Sequence, residues 1–162
     1  MAHLSLGTAQ FGNSYGETNA TGVLDDDAIA RMFAVARQEM VHYVDTAMAY
    51  GNALERISPH VDQFRVTSKV LGKSALGPQL EATLETLKVT KIHSLLIHDW
   101  SILMPHERTR AVAEIVTELR AGYIDFVGVS IYEENEAEAA SKLFEQYGSQ
   151  LHALQLPANP LD

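Results

Sequence analysis

Short apolar runs alternate along this chain with longer segments of helical period. The runs are HLSLGTAQF (3–11), HYVDTA (42–47), RVTSKV (65–70), HSLLIHD (93–99), IDFVGVSI (124–131) and LHALQL (151–156), and they predict six strands. Between them, apolar side chains recur at three- and four-residue spacing. Ile29, Phe33, Ala36 and Met40 form the first stripe, and Leu76, Leu80, Leu84 and Leu87 the second. Val112, Ile115, Val116 and Leu119 form a third, and Ala137, Ala140, Phe144 and Tyr147 a fourth. Asp25, Asp26 and Asp27 offer N-caps to the first of these helices, and Gly122 offers a stop to the third. A shorter helix around Leu54 to Ile57 must end before Pro59. Strands alternating with helices predict right-handed βαβ units and a parallel sheet. No linker or low-complexity tract interrupts the pattern, so residues 1–162 read as one domain.

Two parallel architectures fit that alternation. A doubly wound sheet grips phosphate on a glycine turn directly after its first strand. Here the glycines after strand one (Gly12, Gly16, Gly22) do not have that spacing, and the loop is too long. In a (β/α)8 barrel, the polar residues that do chemistry gather where the strands end. Asp45, Lys69, His98 and Ser130 stand at such ends, which favours a TIM-type barrel.

Composition narrows the function classes. Of 162 residues, 46% are hydrophobic and 20% charged, within the ordinary globular range. The formal net charge of -9, with no run among the 12 Lys and Arg, argues against a nucleic-acid surface. It still leaves room for a phosphorylated cofactor held at a local positive site. The absence of cysteine removes disulfides and thiolate chemistry. The start MAHLSLGTAQ has neither a basic end nor a long apolar core, so we expect no membrane anchor and a cytoplasmic setting. His3, His42, His60, His93, His106 and His152 lack metal-ligand spacing, and no metal site is expected. Asn19 opens a glycosylation sequon that has no meaning without secretion.

The strings LGTAQFG, YVDTAMAYG followed by Glu55, VTSK, LLIHD, GVSIY and LQLPANPLD resemble the strand ends of the aldo-keto reductase family, in order along the whole chain. The resemblance is to its bacterial branch. It implies an eight-unit (β/α)8 barrel that binds NADP(H) and interconverts small aldehydes or ketones with alcohols. It covers the first six strands and leaves the last two βα units unmatched. By resemblance, Tyr50 is the catalytic acid, Lys69 the cation beside it, Asp45 the carboxylate that holds Lys69, and His98 the group that orients the substrate oxygen. Ser130 and Gln155 match the positions that grip the nicotinamide carboxamide, while Ile131 stands where the family has an Asn. Further departures occur at Ile57-Ser58-Pro59, where Leu-Gly is usual, and at Ala158, where an aromatic is usual.

These residue types belong together chemically. A hydride delivered to a carbonyl leaves an alkoxide that needs a proton, and a phenol of reference pKa about 10 supplies it readily only when a cation favours its anion. Each residue alone has an ordinary reading as well: Asp45 as a helix cap, Tyr50 as a packed loop aromatic, Lys69 as a solvated strand end. Phe11, Trp100 and Tyr132 either line a substrate pocket or pack as aromatic core. A non-redox isomerase or lyase using the same acid–base group, or a silent interaction module, are the competing functions. Six strands cannot close a barrel set for eight, so open edges at strands one and six are expected to drive association into a homo-oligomer. Pro157 and Pro160 would turn that contact towards side chains and away from ladder hydrogen bonds.

Overall fold

The computed structural model describes residues 3–14, 16 and 22–157. The sequon at Asn19, Ala158 and Pro160 lie outside the described residues. Six strands, β1 (Ser5–Gly7), β2 (Tyr43–Asp45), β3 (Arg65–Val70), β4 (Ile92–Ile97), β5 (Ile124–Ser130) and β6 (Ala153–Gln155), form one sheet in chain order, and every neighbouring pair is parallel. The helices are α1 (Ala9–Gly12), α2 (Asp26–Gln38), α3 (Ala53–Ile57), α4 (Leu76–Leu87), α5 (Pro105–Ala121) and α6 (Glu136–Gln146).

The sheet curls into part of a barrel. Gln155 on β6 donates a 2.9 Å hydrogen bond to Asp45 on β2, four strands away. In a flat sheet those strands would lie roughly 19 Å apart at the usual inter-strand spacing. All C-terminal strand ends therefore share one rim, and that rim carries Asp45, Lys69, Ser130 and Gln155, with His98 directly after β4. Helix-facing residues form the core: Val44, Val66, Leu95, Ile97, Val127 and Val129 pack against Ile29, Phe33, Leu80, Ile115, Val116 and Phe144, all buried.

Local signals explain most boundaries. Asp25 Oδ1 accepts from the Ala28 N–H at 2.6 Å and caps α2. Gly122, at φ 86, ends α5 in the left-handed conformation. Two expectations need correction. The first strand stops at Gly7, because the Thr8 N–H turns to the Asp45 carbonyl and Phe11 N–H to the Thr8 carbonyl, which starts the short helix α1. The stripe on α2 does not include Met40: the helix ends at Gln38, and Met40 adopts φ 55 with 75% exposure while Val41 N–H bonds back to Ala36.

β1 and β6 end the strand order, so each has one unpaired side within the described residues. Beside β1 lies an apolar groove of about 600 Å3 lined by Leu4, Leu6, Met32, Val35 and Val41. Among the described residues, no helix is long and apolar enough to cross a membrane.

Candidate active site

Strand order and register bring the predicted quartet together. Lys69 sits near the end of β3, one strand over from Asp45, and is 1% exposed. A buried ammonium is tolerated only when its three donors are met. Lys69 Nζ reaches Asp45 Oδ1 at 2.5 Å, the Thr46 carbonyl at 3.2 Å and Tyr50 Oη at 3.1 Å. Because the phenol oxygen accepts from Lys69, its own proton is left to point elsewhere, as a proton donor requires. The ammonium also lies 4.9 Å from the Tyr50 ring centroid. Asp45 spends both carboxylate oxygens on Lys69 and Gln155, and so acts here as an ion-pair partner and not as a helix cap.

Tyr50 is carried on the turn between β2 and α3. Its N–H bonds to Ala47 and its carbonyl accepts from Ala53, at 3.1 Å in each case. Gly12 makes this turn possible: a Cβ there would lie 1.8 Å from the Tyr50 carbonyl oxygen and 2.6 Å from the Ala53 nitrogen. Both atoms are backbone and cannot swing aside. Gly12→Ala should therefore cost about 1–3 kcal/mol, as overpacking does, read from denaturant unfolding. A midpoint unchanged from the parent would mean that the turn is looser than this contact implies.

His98 leads away from β4 with its N–H on the Val70 carbonyl at 2.9 Å, and its ring meets Tyr50 edge-on at 5.8 Å. Burial, and then the Lys69 ammonium, push its pKa below the ordinary 6.5; Asp99 and Asp45 oppose this and lose. His98 is thus neutral at neutral pH and keeps one ring N–H as a donor. Burial also lowers the His93 pKa, helped by Arg65 and opposed by Asp125. Below pH 6.5 the unfolded chain takes up protons that the folded imidazoles refuse. Their contribution to stability is therefore full above 6.5, is lost as pH falls through the depressed pKa, and levels off below it. Melting temperature should fall between pH 7.5 and 5, and His98→Gln should flatten part of that slope. Parallel pH profiles for the two proteins would contradict the assignment.

At the rim, Ser130 and Gln155 are register partners at the ends of β5 and β6. Ile131 is 1% exposed and gives its N–H to the Gln155 carbonyl, so that position offers no side-chain amide. The three aromatics separate. Phe11 and Trp100, each 1% exposed, are core: Phe11 packs edge-on to Phe33 at 6.2 Å, and Trp100 lies under the Arg108 guanidinium at 5.1 Å. Tyr132 is 73% exposed. Neither Phe11 nor Trp100 presents a surface to a ligand, because the turn after β1 and the one after β4 fold them inward.

Further residues support the site through contacts that no local sequence pattern signals. Arg56 on α3 donates to the Phe11 carbonyl, to the Leu24 carbonyl at 2.5 Å and to Asp26 at 2.7 Å, tying the turn that bears Tyr50 to α1 and α2. Asp99 accepts the Gly72 N–H at 2.6 Å and so joins the loop after Lys69 to the loop of His98. Among the described residues, no cluster of His, Asp and Glu converges to hold a metal ion.

The sequence model of the Aldo/keto reductase family matches residues 3–162. This chain belongs to the aldo-keto reductase family. Its fold is similar to that of a thermostable aldo-keto reductase, Tm1743, solved with the inhibitor epalrestat, at 23% identity and TM-score 0.77 over 100% of this chain and 60% of that one. It is likewise similar to the Bombyx mori aldo-keto reductase solved with NADP, at 17% identity and TM-score 0.76 over 99% and 55% of the two chains. A Gluconobacter oxydans glycerol dehydrogenase matches at 22% identity and TM-score 0.75, over 98% and 52%. No curated protein matches. The chain thus spans about 60% of the first of these aldo-keto reductases, and what it shares with them at such identities is the incomplete (β/α)8 barrel.

Proposed function

We propose that this chain carries the proton-transfer half of an NADP(H)-dependent oxidoreductase site that reduces a small aldehyde or ketone, or runs the reverse reaction. The observation that supports this best is the Asp45–Lys69–Tyr50 relay, in which every Lys69 donor is committed and the phenol proton is left free to leave. Tyr50 gives that proton to the substrate oxygen. Lys69 offsets the charge left on the phenolate. His98, neutral and edge-on to Tyr50, donates to the same oxygen and orients the carbonyl. The nicotinamide, when bound, supplies the hydride. Ser130 and Gln155 fit its carboxamide by residue type and as register partners at the rim, Gln155 beside Asp45, with one amide fewer at Ile131.

The test is direct. Titration with NADPH, followed by fluorescence, should saturate, and addition of small aldehydes should bleach the nicotinamide band. No saturable binding at millimolar cofactor would sink the cofactor reading.

Association follows from the same curled sheet. Among the described residues, the groove beside β1 and, separately, the partly exposed Leu154 and Leu156 beside β6 offer apolar surface suited to a second copy of the chain. Sedimentation at micromolar concentration should show a dimer or larger, burying more than about 1,200 Å2. A monomer that melts cooperatively and binds no hydrophobic dye would refute it.

A further inference from the structure

Asp45 is held from two sides of the barrel. Its Oδ1 pairs with Lys69 of the adjacent strand, while Oδ2 accepts from Gln155 Nε2, which belongs to a strand 110 residues further along the chain. A carboxylate held at one oxygen turns freely about its last torsion, which is broad and nearly two-fold. A second bond at the other oxygen fixes the plane. We propose that Gln155 is a positioning residue for the proton donor: through Asp45 it holds Lys69 Nζ against the Tyr50 hydroxyl. This deepens the reading of Tyr50 as the acid and rests on it, yet it needs no cofactor.

The reach of Gln155 is set by the strands behind it. β6 lies so close to β5 that a Cβ at Gly128 would stand 2.0 Å from the Ala153 carbonyl oxygen. The Gln155 carbonyl is in turn pinned by the Ile131 N–H at 2.9 Å. The amide orientation follows from its partner, since an ionised carboxylate only accepts. With Nε2 committed to Asp45, Oε1 is the atom that remains to accept from a ligand amide. Gripping a carboxamide and orienting Asp45 are therefore compatible tasks for one side chain.

The experiment uses the cofactor-free chain. Tyrosine ring carbon resonances are recorded at neutral pH in the parent, in Gln155→Leu and in Gln155→Met. The Tyr50 signal is identified by its absence from Tyr50→Phe in each background. Without the amide donor, Asp45 no longer keeps Lys69 on the phenol, and the Tyr50 resonance should move towards that of an exposed tyrosine. Gln155→Met, nearly the same size and uncharged, should move it in the same direction. It also keeps the test alive if Gln155→Leu fails to fold. Superimposable Tyr50 signals in the parent and the folded variants overturn the proposal, even if melting temperatures differ, because Gln155 would then be a structural clasp alone. A shift seen in a chain that binds no NADPH would leave this inference standing while the cofactor reading falls.

Discussion

Lys69→Met is expected to lower the stability of the folded chain by about 3 kcal/mol, near the low end of what removing one partner from a buried ion pair costs. Methionine fills much of the same volume, so the loss is electrostatic and not a cavity. Lys69 is 1% exposed, and its removal leaves the Asp45 carboxylate, 18% exposed, with Gln155 as its one remaining side-chain donor among the described residues. That residual exposure keeps the penalty from the top of the range. The double variant Asp45→Asn, Lys69→Met should recover part of the loss, since no unpaired charge remains. Denaturant unfolding of the four proteins checks both statements. A single variant within 1 kcal/mol of the parent would mean that water or a rearranged Asp45 replaces the ammonium, and that the pair is less coupled than its 2.5 Å contact indicates.

The meeting of Asp45, Tyr50, Lys69 and His98 was legible because strand ends share one rim of a barrel, and there a polar residue interrupts an apolar run. Asp45, Lys69 and His98 each show that interruption, and Tyr50 follows Asp45 closely enough to share its loop. What could not be read locally depends on pairs distant in sequence. Gly12 matters through the Tyr50 carbonyl, Arg56 through Phe11, Asp99 through Gly72, and Gln155 through Asp45, and no periodicity reports such contacts. Phe11 and Trp100 illustrate the same limit from the apolar side. A lone aromatic after a strand has no pattern to show whether its loop turns it inward, and here both loops do. At the first strand the alternation runs on past Gly7, beyond the end of β1. The hydrogen bond from Thr8 to the Asp45 carbonyl is a tertiary event that ends it.

Of these contacts, those of Gly12, Arg56 and Gln155 bear on the turn of Tyr50 and on the ion pair beneath it, and removing the phenol oxygen separates chemistry from stability. Tyr50→Phe keeps the ring, and with it the Lys69 contact at 4.9 Å and the His98 contact at 5.8 Å. The fold loses one acceptor for Lys69 at a half-buried position that water can reach, so stability should change by no more than about 1 kcal/mol. Turnover is a different matter. On the role proposed for Tyr50, no proton then stands ready for the substrate oxygen, and the loss of a general acid costs roughly 10²–10⁴-fold in rate. If the chain turns over a carbonyl substrate, kcat of Tyr50→Phe should fall by that factor while NADPH binding, which the phenol does not serve, stays close to the parent value. Loss of binding together with turnover would make Tyr50 a part of the cofactor cradle. Retention of more than a tenth of the parent kcat would move the acid elsewhere, and His98, whose ring already stands edge-on to Tyr50, is the group best placed to take over the proton.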